Sequence, residues 1–501
     1  MSTDRKIKFV LINNSTVAEN TTDNAAIGGN HMMHVRPVPL HNIDHMLKSK
    51  GYQSNIIEYF TIWDKHELKD YVLQYADDHE IVLVFSFTLY NKPQNKIAIA
   101  EFVDMVREDH TQNVYTVAGG IKEYEVGKDD SYNFLDVIYT GRTIHKFESH
   151  CESGEIFEYL EQLNKPVVFK LADSPHDPPI VHNFYEDGVW SENHVAVFEV
   201  YMGCKFNCSF CSYDLRGIRN PTLQQVDALV NYFTTAKEHG VTHFFAGDDT
   251  INEEDSKLEI LKAALEQLDY TPHIAAFVRM DMMYNKPYRV ELIRDAGIKS
   301  MFFGIESMNY TANKYIRKGS SPEKIVNTLE QIRSIDPDFY LFGAFIVGLE
   351  GDSELDIRTN NNIATQYLDG LYYNPLFIQK YNPDWEWMSD IDKNPQEFGY
   401  NIVGENPNPN LIQWRNSWID CDEAVVLAQQ INDYNLKKFG MHKLMSNWFY
   451  SCAHALGTVS SPHTWGDDYR THYGYKMDHL RMMSTPNHKA MYNYIYNKKR
   501  S

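Results

Sequence analysis

The chain has 501 residues, 43% of them hydrophobic, and 47 Lys+Arg against 68 Asp+Glu give a net charge of −21. This length favours about two to four globular domains and excludes a small disulfide-stapled scaffold. The acidic balance disfavours general binding to nucleic acid. Because the sequence has neither an apolar run of membrane-spanning length nor a signal-like start, no membrane partner and a cytoplasmic location are expected.

The first part of the chain alternates strand-like and helix-like segments, which is typical of parallel βαβ units. Residues 40–50 and 96–108 carry apolar residues at helical spacing. We therefore expect a doubly wound, Rossmann-like α/β domain over residues 1–164, with helices on both faces of its sheet. Strands are predicted at residues 7–13, 53–60, 81–88, 114–118 and 136–139.

Residues 165–193 contain several prolines among polar residues and are predicted to be a linker. A second run of βα units follows over residues 194–395 and predicts an open or partial (β/α)6 barrel. Within it, Ser321-Pro322-Glu323 is typical of a helix start. Strands are predicted at residues 195–201, 241–246, 273–279, 299–305, 340–348 and 376–379.

Residues 396–501 are expected to form an α-rich C-terminal region with one helix near 422–439. Its end mixes aromatic and basic residues, which can pack a cap over a barrel or contact a substrate with rings or phosphates. The aromatic residues in question are Trp448, Phe449, Tyr450, Trp465, Tyr469, Tyr473 and Tyr475. The basic residues among them include Arg470, Lys476 and Arg481.

Three cysteines follow the first predicted strand of the barrel with the spacing C-x3-C-x2-C: Cys204, Cys208 and Cys211. Thiolates this close can converge on one metal centre, but a structural zinc site or an ordinary four-iron cluster takes four protein ligands. Three ligands on a four-iron cluster leave one iron open to a substrate or cofactor. A zinc site completed by a histidine is the alternative.

This loop, with Phe210 before its third cysteine, resembles that of the radical S-adenosylmethionine (SAM) superfamily. The resemblance implies a [4Fe-4S] cluster on Cys204, Cys208 and Cys211, with SAM at the open iron. It further implies reductive cleavage of SAM to a 5'-deoxyadenosyl radical and an electron donor such as flavodoxin or ferredoxin. The substrate is not specified by the resemblance.

Later segments resemble the family's motifs at successive strand ends, and their matching residues would contact SAM. These are Gly247, Asp248 and Asp249 after the second strand, Arg279 of an R-x-D element, Glu306 and Ser307 of G-I-E-S, and Gly348 of I-V-G-L. Each also has a structural alternative. Asp248 and Asp249 could cap a helix, Glu306 could pair with Arg279, and Gly348 could serve a tight turn.

The doubly wound domain ahead of the barrel resembles the cobalamin-binding class of this superfamily. That resemblance makes Ser86, Thr88, Gly119 and Gly120, at the predicted strand ends, candidate cobalamin contacts. The D-x-H-x-x-G motif of many cobalamin domains is absent, and residues 64–69, the nearest string, are expected to begin a solvated helix. Cobalamin binding therefore stays open.

Three functions remain under consideration. The first is a radical SAM enzyme that uses cobalamin, a C- or P-methyltransferase. The second is a radical SAM enzyme that catalyses cyclisation, oxidation or rearrangement without cobalamin. The third is a noncatalytic, metal-stabilised binding protein.

Overall fold

The computed structural model describes residues 6–13, 38–57, 60, 64–87, 93–109, 114–121, 126, 132–141, 145–162, 166–170, 195–213, 215–219, 222–383, 388–408, 410–455, 457 and 459–463. The elements before residue 170 and those from residue 195 onward belong to two compact units. Within the described part of the chain, no helix combines the length and apolar character needed to cross a bilayer.

The first unit contains a six-stranded parallel sheet in the order β2-β1-β3-β4-β5-β6. Its strands are β1 (Ile7–Asn13), β2 (Gln53–Ile57), β3 (Glu80–Ser86), β4 (Val114–Ile121), β5 (Val137–Thr140) and β6 (Val167–Phe169). The five predicted strands are present with small shifts at their ends. β6 lies in the segment that we expected to be a linker, because its β-branched run pairs with β5 and forms the edge of the sheet.

Helices cover both faces of this sheet: α1 (Val38–Ser49), α2 (Lys65–Leu73), α3 (Pro93–Asp109), α4 (His145–Ser153) and α5 (Glu155–Leu160). Side chains alternate along the buried strand β1. Phe9 and Leu11 pack into one core with α1, α4 and α5, whereas Val10 and Ile12 pack into the other with α2 and α3. The doubly wound arrangement predicted from the sequence is confirmed.

The second unit contains six parallel strands in sequence order, from β7 at one edge to β12 at the other. They are β7 (Val195–Phe198), β8 (His243–Ala246), β9 (His273–Val278), β10 (Ile298–Glu306), β11 (Tyr340–Val347) and β12 (Gly370–Pro375). The prediction for the sixth strand, residues 376–379, is wrong. In the sequence, Asp369-Gly370 is typical of a turn. In the structure Gly370 begins β12, and a Cβ added there would meet the carbonyl oxygen of Met445.

The helices of this unit are α6 (Val226–Glu238), α7 (Asp255–Leu265), α8 (Pro287–Asp295), α9 (Tyr310–Tyr315), α10 (Pro322–Ile335), α11 (Glu354–Tyr367), α12 (Asp390–Lys393), α13 (Cys421–Phe439) and α14 (Asn447–Ala455). Ser321 caps α10 by accepting a hydrogen bond from the Lys324 amide, with Pro322 in the first turn, as predicted. The helix expected near 422–439 is α13. An antiparallel hairpin of β13 (Asn401–Glu405) and β14 (Ile412–Arg415) was not foreseen.

Helix α14 packs against the barrel strands. The Trp448 ring lies 4.3 Å from the Phe245 ring, centroid to centroid, and Tyr450 stacks on Tyr340 at 4.3 Å. Asn447 Nδ2 donates to the carbonyl oxygen of Ala276 (3.3 Å). This part of the C-terminal region therefore forms a cap, one of the two roles considered, whereas Trp465, Tyr469, Tyr473, Tyr475, Arg470, Lys476 and Arg481 lie outside the described residues.

Replacing Tyr450 by Ala should lower the free energy of unfolding by about 3–5 kcal/mol, because it removes a buried ring that stacks on Tyr340. Tyr450→Phe keeps that ring and should cost much less. Denaturant unfolding of both variants measures the difference. Equal losses would mean that the ring stack is not the source of the stability.

Candidate active site

The cysteine loop begins at Gly203, where the chain turns sharply after β7. Gly203 has φ +101°, and a Cβ there would lie 3.3 Å from Cβ of Ile218. The loop then folds back on itself, since the Cys204 amide donates to Leu215 O (3.0 Å) and the Ile218 amide donates to Cys204 O (3.1 Å). Glycine is required here by both the positive φ and the close approach.

The second half of the loop is tied to later parts of the unit. Ser209 Oγ donates to Tyr315 O (2.9 Å), and Ser209 O accepts from the Ile391 amide (3.0 Å). Arg216 donates to Cys211 O (2.5 Å) and to Met388 O (2.8 Å). These contacts fix the backbone that carries Cys208 and Cys211.

All three cysteines of the motif line one cavity of about 190 Å³ at the carboxyl ends of the barrel strands. This is the end at which parallel barrels carry their active sites. The other residues that line it are Phe206, Phe210, Tyr213, Arg216, Asp249, Thr250, Phe277, Val278, Arg279, Phe302, Gly304, Glu306 and Lys318. The three cysteines thus share one cavity, and their role as cluster ligands stays a prediction.

Each sulfur of the motif has a polar neighbour. Arg279 Nη1 lies 3.3 Å from Cys208 Sγ, the Tyr213 amide nitrogen lies 3.4 Å from Cys211 Sγ, and Thr250 Oγ1 lies 3.7 Å from Cys204 Sγ. Burial raises the pKa of Cys204 to about 12 and also raises the pKa of Cys211. A metal centre would displace the thiol protons, and N–H groups beside sulfur would stabilise the thiolates. This donor set fits a cluster with three protein ligands.

Arg279 lines the cavity next to the cysteine loop. Its guanidinium carbon lies 3.7 Å from the centroid of the Phe206 ring, and its Nε donates to Asp281 Oδ1 (2.7 Å). Asp281 therefore orients the guanidinium, which places a fixed positive charge beside Cys208. The proposed pairing of Glu306 with Arg279 is wrong, since each has a different partner.

Glu306 pairs instead with Lys318, whose Nζ lies 2.9 Å from Glu306 Oε1 and also donates to Gly304 O (2.5 Å). Glu306 has φ +63°, and the pairing of β10 with β11 shifts register between Gly304 and Glu306. A Cβ on Gly304 would lie 2.5 Å from Glu306 Oε1. The bulge and the glycine together make room for this ion pair in the cavity wall.

Two of the candidate SAM contacts after β8 lie outside the cavity lining. Asp248 is buried, and its carboxylate accepts hydrogen bonds from the amides of Val200 (2.9 Å) and Tyr201 (3.1 Å). Burial raises the pKa of Asp248 well above its usual value. The Gly247 amide donates to Phe198 O (2.7 Å). Both residues hold the end of β7, from which the cysteine loop starts, whereas Asp249 does line the cavity.

Ser307 and Gly348 also lie outside the lining of this cavity. Ser307 Oγ donates to Asp352 Oδ1 (2.9 Å). Gly348 has φ +105°, and a Cβ there would lie 2.6 Å from the Trp414 ring. Its carbonyl oxygen accepts from Asn416 Nδ2 (3.0 Å). In this structure both residues support the loops around the site.

Several cavity residues were not among the sequence-based candidates, notably Phe206, Thr250, Phe277, Phe302 and Lys318. A signal for two of them was available. Phe277 precedes Arg279 by two residues, and Phe302 precedes Gly304 by two residues. Because side chains alternate along a strand, residues two apart face the same side.

In the first unit, the candidate cobalamin contacts lie at carboxyl ends of adjacent strands. Ser86 pairs in register with Asn13 of β1 and with Gly119 of β4. Gly120 has φ +76° at a register shift between β4 and β5. Strand order reverses between β1 and β3, and such a switch point is where doubly wound sheets bind ligands. Thr88 lies outside the described residues.

Comparison with known proteins agrees with the motif analysis. Residues 198–359 match the Radical SAM superfamily. The chain is 24% identical over 342 residues to a protein described as a methylthiotransferase of Methanocaldococcus jannaschii, covering 65% of this chain and 72% of that protein. It is 23% identical over 289 residues to the hopanoid C-2 methylase of Rhodopseudomonas palustris, covering 56% of this chain and 51% of that enzyme.

Solved structures show the same fold. The radical SAM methyltransferase TsrM of Kitasatospora setae, solved with cobalamin and a [4Fe-4S] cluster, has a TM-score of 0.56 at 11% identity, covering 95% of this chain and 99% of that one. The cobalamin-dependent radical enzyme OxsB, solved with aqua-cobalamin, has a TM-score of 0.54 at 13% identity, covering 98% and 73%. The fold class predicted from the sequence is confirmed.

Replacing Asp248 by Asn should lower the free energy of unfolding by about 1–3 kcal/mol, because an amide offers one acceptor oxygen to two buried backbone amides. Asp249→Asn, at the neighbouring cavity position, is the matched control and should change stability little. Chemical denaturation measures both. A larger effect at Asp249 would contradict the structural role of Asp248.

Proposed function

We propose that this chain, whose residues 198–359 are a radical SAM domain, is a radical SAM enzyme of the cobalamin-dependent methyltransferase type. The observation that carries the proposal is the convergence of Cys204, Cys208 and Cys211 on one cavity that also holds fixed charges. The relatives that transfer methyl or methylthio groups support an enzyme over a noncatalytic binding protein.

Cys204, Cys208 and Cys211 would hold the cluster. When bound, a [4Fe-4S] cluster with an open iron supplies an electron for SAM cleavage, and cobalamin supplies a methyl group. Arg279 keeps a positive charge beside Cys208, which stabilises the anionic thiolates. Phe206, Phe210, Phe277 and Phe302 cover much of the cavity wall with apolar surface and so limit access of water to the reacting groups.

The Glu306 and Lys318 pair gives the cavity both signs of charge at one place. Glu306 would bind the ammonium group of SAM, and Lys318 the carboxylate, because the methionine part of SAM carries both groups. Asp249 and Thr250 also line the cavity, and Thr250 lies beside Cys204. The remaining candidates, Gly247, Asp248, Ser307 and Gly348, would then act on SAM binding through the backbone that they hold.

The first unit is the proposed cobalamin domain. Its parallel sheet and the strand-end positions of Ser86, Gly119 and Gly120 support this role. Two structural relatives that span most of the chain are described as cobalamin-bound. We further propose that these three residues, together with Thr88, contact the corrin.

A radical SAM enzyme that does not use cobalamin is the second candidate, and one observation favours it. Asp64 caps α2 by accepting hydrogen bonds from the amides of His66 and Glu67, so the nearest string to D-x-H-x-x-G is a helix start, as predicted. His66 therefore does not correspond to the lower axial histidine that this motif supplies in many cobalamin domains. An external electron donor is needed in either case.

Changing Cys204, Cys208 or Cys211 singly to Ala should abolish the four-iron absorption of anaerobically reconstituted protein. Cys151→Ala, Cys421→Ala and Cys452→Ala should keep it, and Cys151 and Cys421 lie in α4 and at the start of α13. Iron content and the optical spectrum measure the outcome. A normal cluster in Cys208→Ala would contradict the ligand assignment.

Glu306→Gln should weaken SAM binding roughly 10- to 100-fold while the cluster still forms, because it removes one charged partner from the cavity. Glu323→Gln, an exposed carboxylate in the first turn of α10, is the matched control. Equilibrium binding of SAM to reconstituted protein gives the affinities. Equal affinities in the two variants would remove Glu306 from the site.

The decisive experiment adds hydroxocobalamin during anaerobic reconstitution, and then measures bound corrin and 5'-deoxyadenosine after reduction. Bound corrin with SAM cleavage supports the methyltransferase. Cleavage without bound corrin supports the second candidate. Absence of cleavage by protein with an intact cluster would refute both and leave the binding-protein hypothesis.

A further inference from the structure

Three histidines meet in the second unit, away from the cysteine loop. His243 is the first residue of β8 and His273 the first residue of β9, and the two strands pair with these residues in register. His454 comes from α14. One potential ligand nitrogen from each imidazole lies within 4.8 Å of those of the other two. His454 lies 211 positions after His243 in the sequence, yet its ring nitrogen comes close to theirs.

Hydroxyl groups contact two of the three rings. His243 Nδ1 lies 3.1 Å from Thr242 Oγ1, and its other nitrogen, Nε2, lies 2.8 Å from His454 Nδ1. His273 Nε2 lies 3.3 Å from Ser300 Oγ. Metal-binding imidazoles usually have such a partner on the nitrogen that does not bind the metal. His243 and His273 therefore each have a hydroxyl partner for one ring nitrogen, which leaves the other nitrogen for a metal ion.

The spacing suits a small metal ion. At a metal–nitrogen distance of about 2.0–2.1 Å, tetrahedral geometry separates the ligand nitrogens by roughly 3.3–3.4 Å. The distances here run from 2.8 Å between His243 and His454 to at most 4.8 Å. That range includes the required value. The His273 ring stacks on those of His243 (27°) and His454 (22°), so metal binding would turn the rings until their in-plane lone pairs meet at one ion.

The chemistry of the three side chains also points to one group of metals. Each imidazole offers one nitrogen lone pair to an ion. Neutral imidazole ligands favour zinc, copper, nickel and cobalt over magnesium and calcium.

The cluster is distinct from the cysteine cavity. The rings of Phe245, Phe277, Phe302 and Phe342 contact one another in succession, at centroid distances of 5.3, 5.0 and 4.9 Å. On their strands, Phe245, Phe302 and Phe342 come two residues after His243, Ser300 and Tyr340. Phe277 comes four residues after His273. Phe277 and Phe302 line the cysteine cavity. In the described part of the chain, none of the three histidines lines it.

We propose that His243, His273 and His454 bind a divalent metal ion of the zinc class, which fastens α14 to β8 and β9. The ion would hold α14 against the strands through three protein ligands, one fewer than a closed structural zinc site has. Helix α14 already packs through Trp448, Tyr450 and Asn447, and a metal ion at His454 would hold its C-terminal end. The three-histidine set leaves one coordination position for water.

Cobalt(II) is a suitable probe, because its visible absorption distinguishes nitrogen from thiolate ligands. The full chain carrying C204S, C208S and C211S removes the competing cysteine site. This protein should bind one Co²⁺ with ligand-field bands and without thiolate charge transfer. Adding His454→Gln should weaken binding more than about tenfold, since even loss of an outer-shell partner costs that much. His463→Gln, at an exposed histidine outside the cluster, is the matched control and should bind normally.

Zinc should raise the unfolding temperature of the protein with intact histidines and leave that of the His454→Gln variant unchanged. If His454→Gln does not fold, Thr242→Val tests the site by removing the hydroxyl beside His243 Nδ1, with an expected affinity loss of roughly tenfold. Absence of Co²⁺ binding in the triple serine protein would overturn the proposal. Binding that is unchanged in His454→Gln, or in Thr242→Val where that variant replaces it, would also overturn it.

Discussion

Parallel pairing of β7 to β12 in sequence order is the constraint on which the site depends. It places the carboxyl ends of all six strands at one end of the sheet, so that each following loop starts beside its neighbours. The cysteine loop after β7, Arg279 after β9 and Glu306 at the end of β10 meet for this reason. No local interaction within any one of these segments would bring them together.

Around that frame, buried polar groups hold the backbone while charged groups face the cavity. The Asp248 carboxylate accepts hydrogen bonds from the amides of Val200 and Tyr201, whereas its neighbour Asp249 lines the cavity. A buried carboxylate without donors would be costly, so the two amides and Asp248 stabilise each other. Ser307 and Glu306 differ in the same way. Ser307 donates a hydrogen bond to Asp352, whereas Glu306 lines the cavity and pairs with Lys318.

The two ends of the barrel differ in their chemistry. Thiols, a guanidinium and an ion pair surround the cavity at the carboxyl ends, and neutral imidazoles gather where β8 and β9 begin, under α14. Phenylalanine rings in edge-to-face contact lie between them. This apolar layer separates the two sets of polar groups.

The sequence by itself determined the doubly wound and barrel folds and nearly all their strands, and it singled out the three cysteines that line the cavity, because periodicity and close motif spacing are local properties. The sixth barrel strand and β6 were misjudged because pairing with a neighbouring strand, here β11 and β5, outweighed turn-like or linker-like composition. Only the tertiary structure decided which partner each charge takes, as with Glu306 and Lys318 rather than Arg279. It alone brought His454 to His243 and His273, because contacts between distant residues depend on how helices pack and leave no local pattern in the sequence.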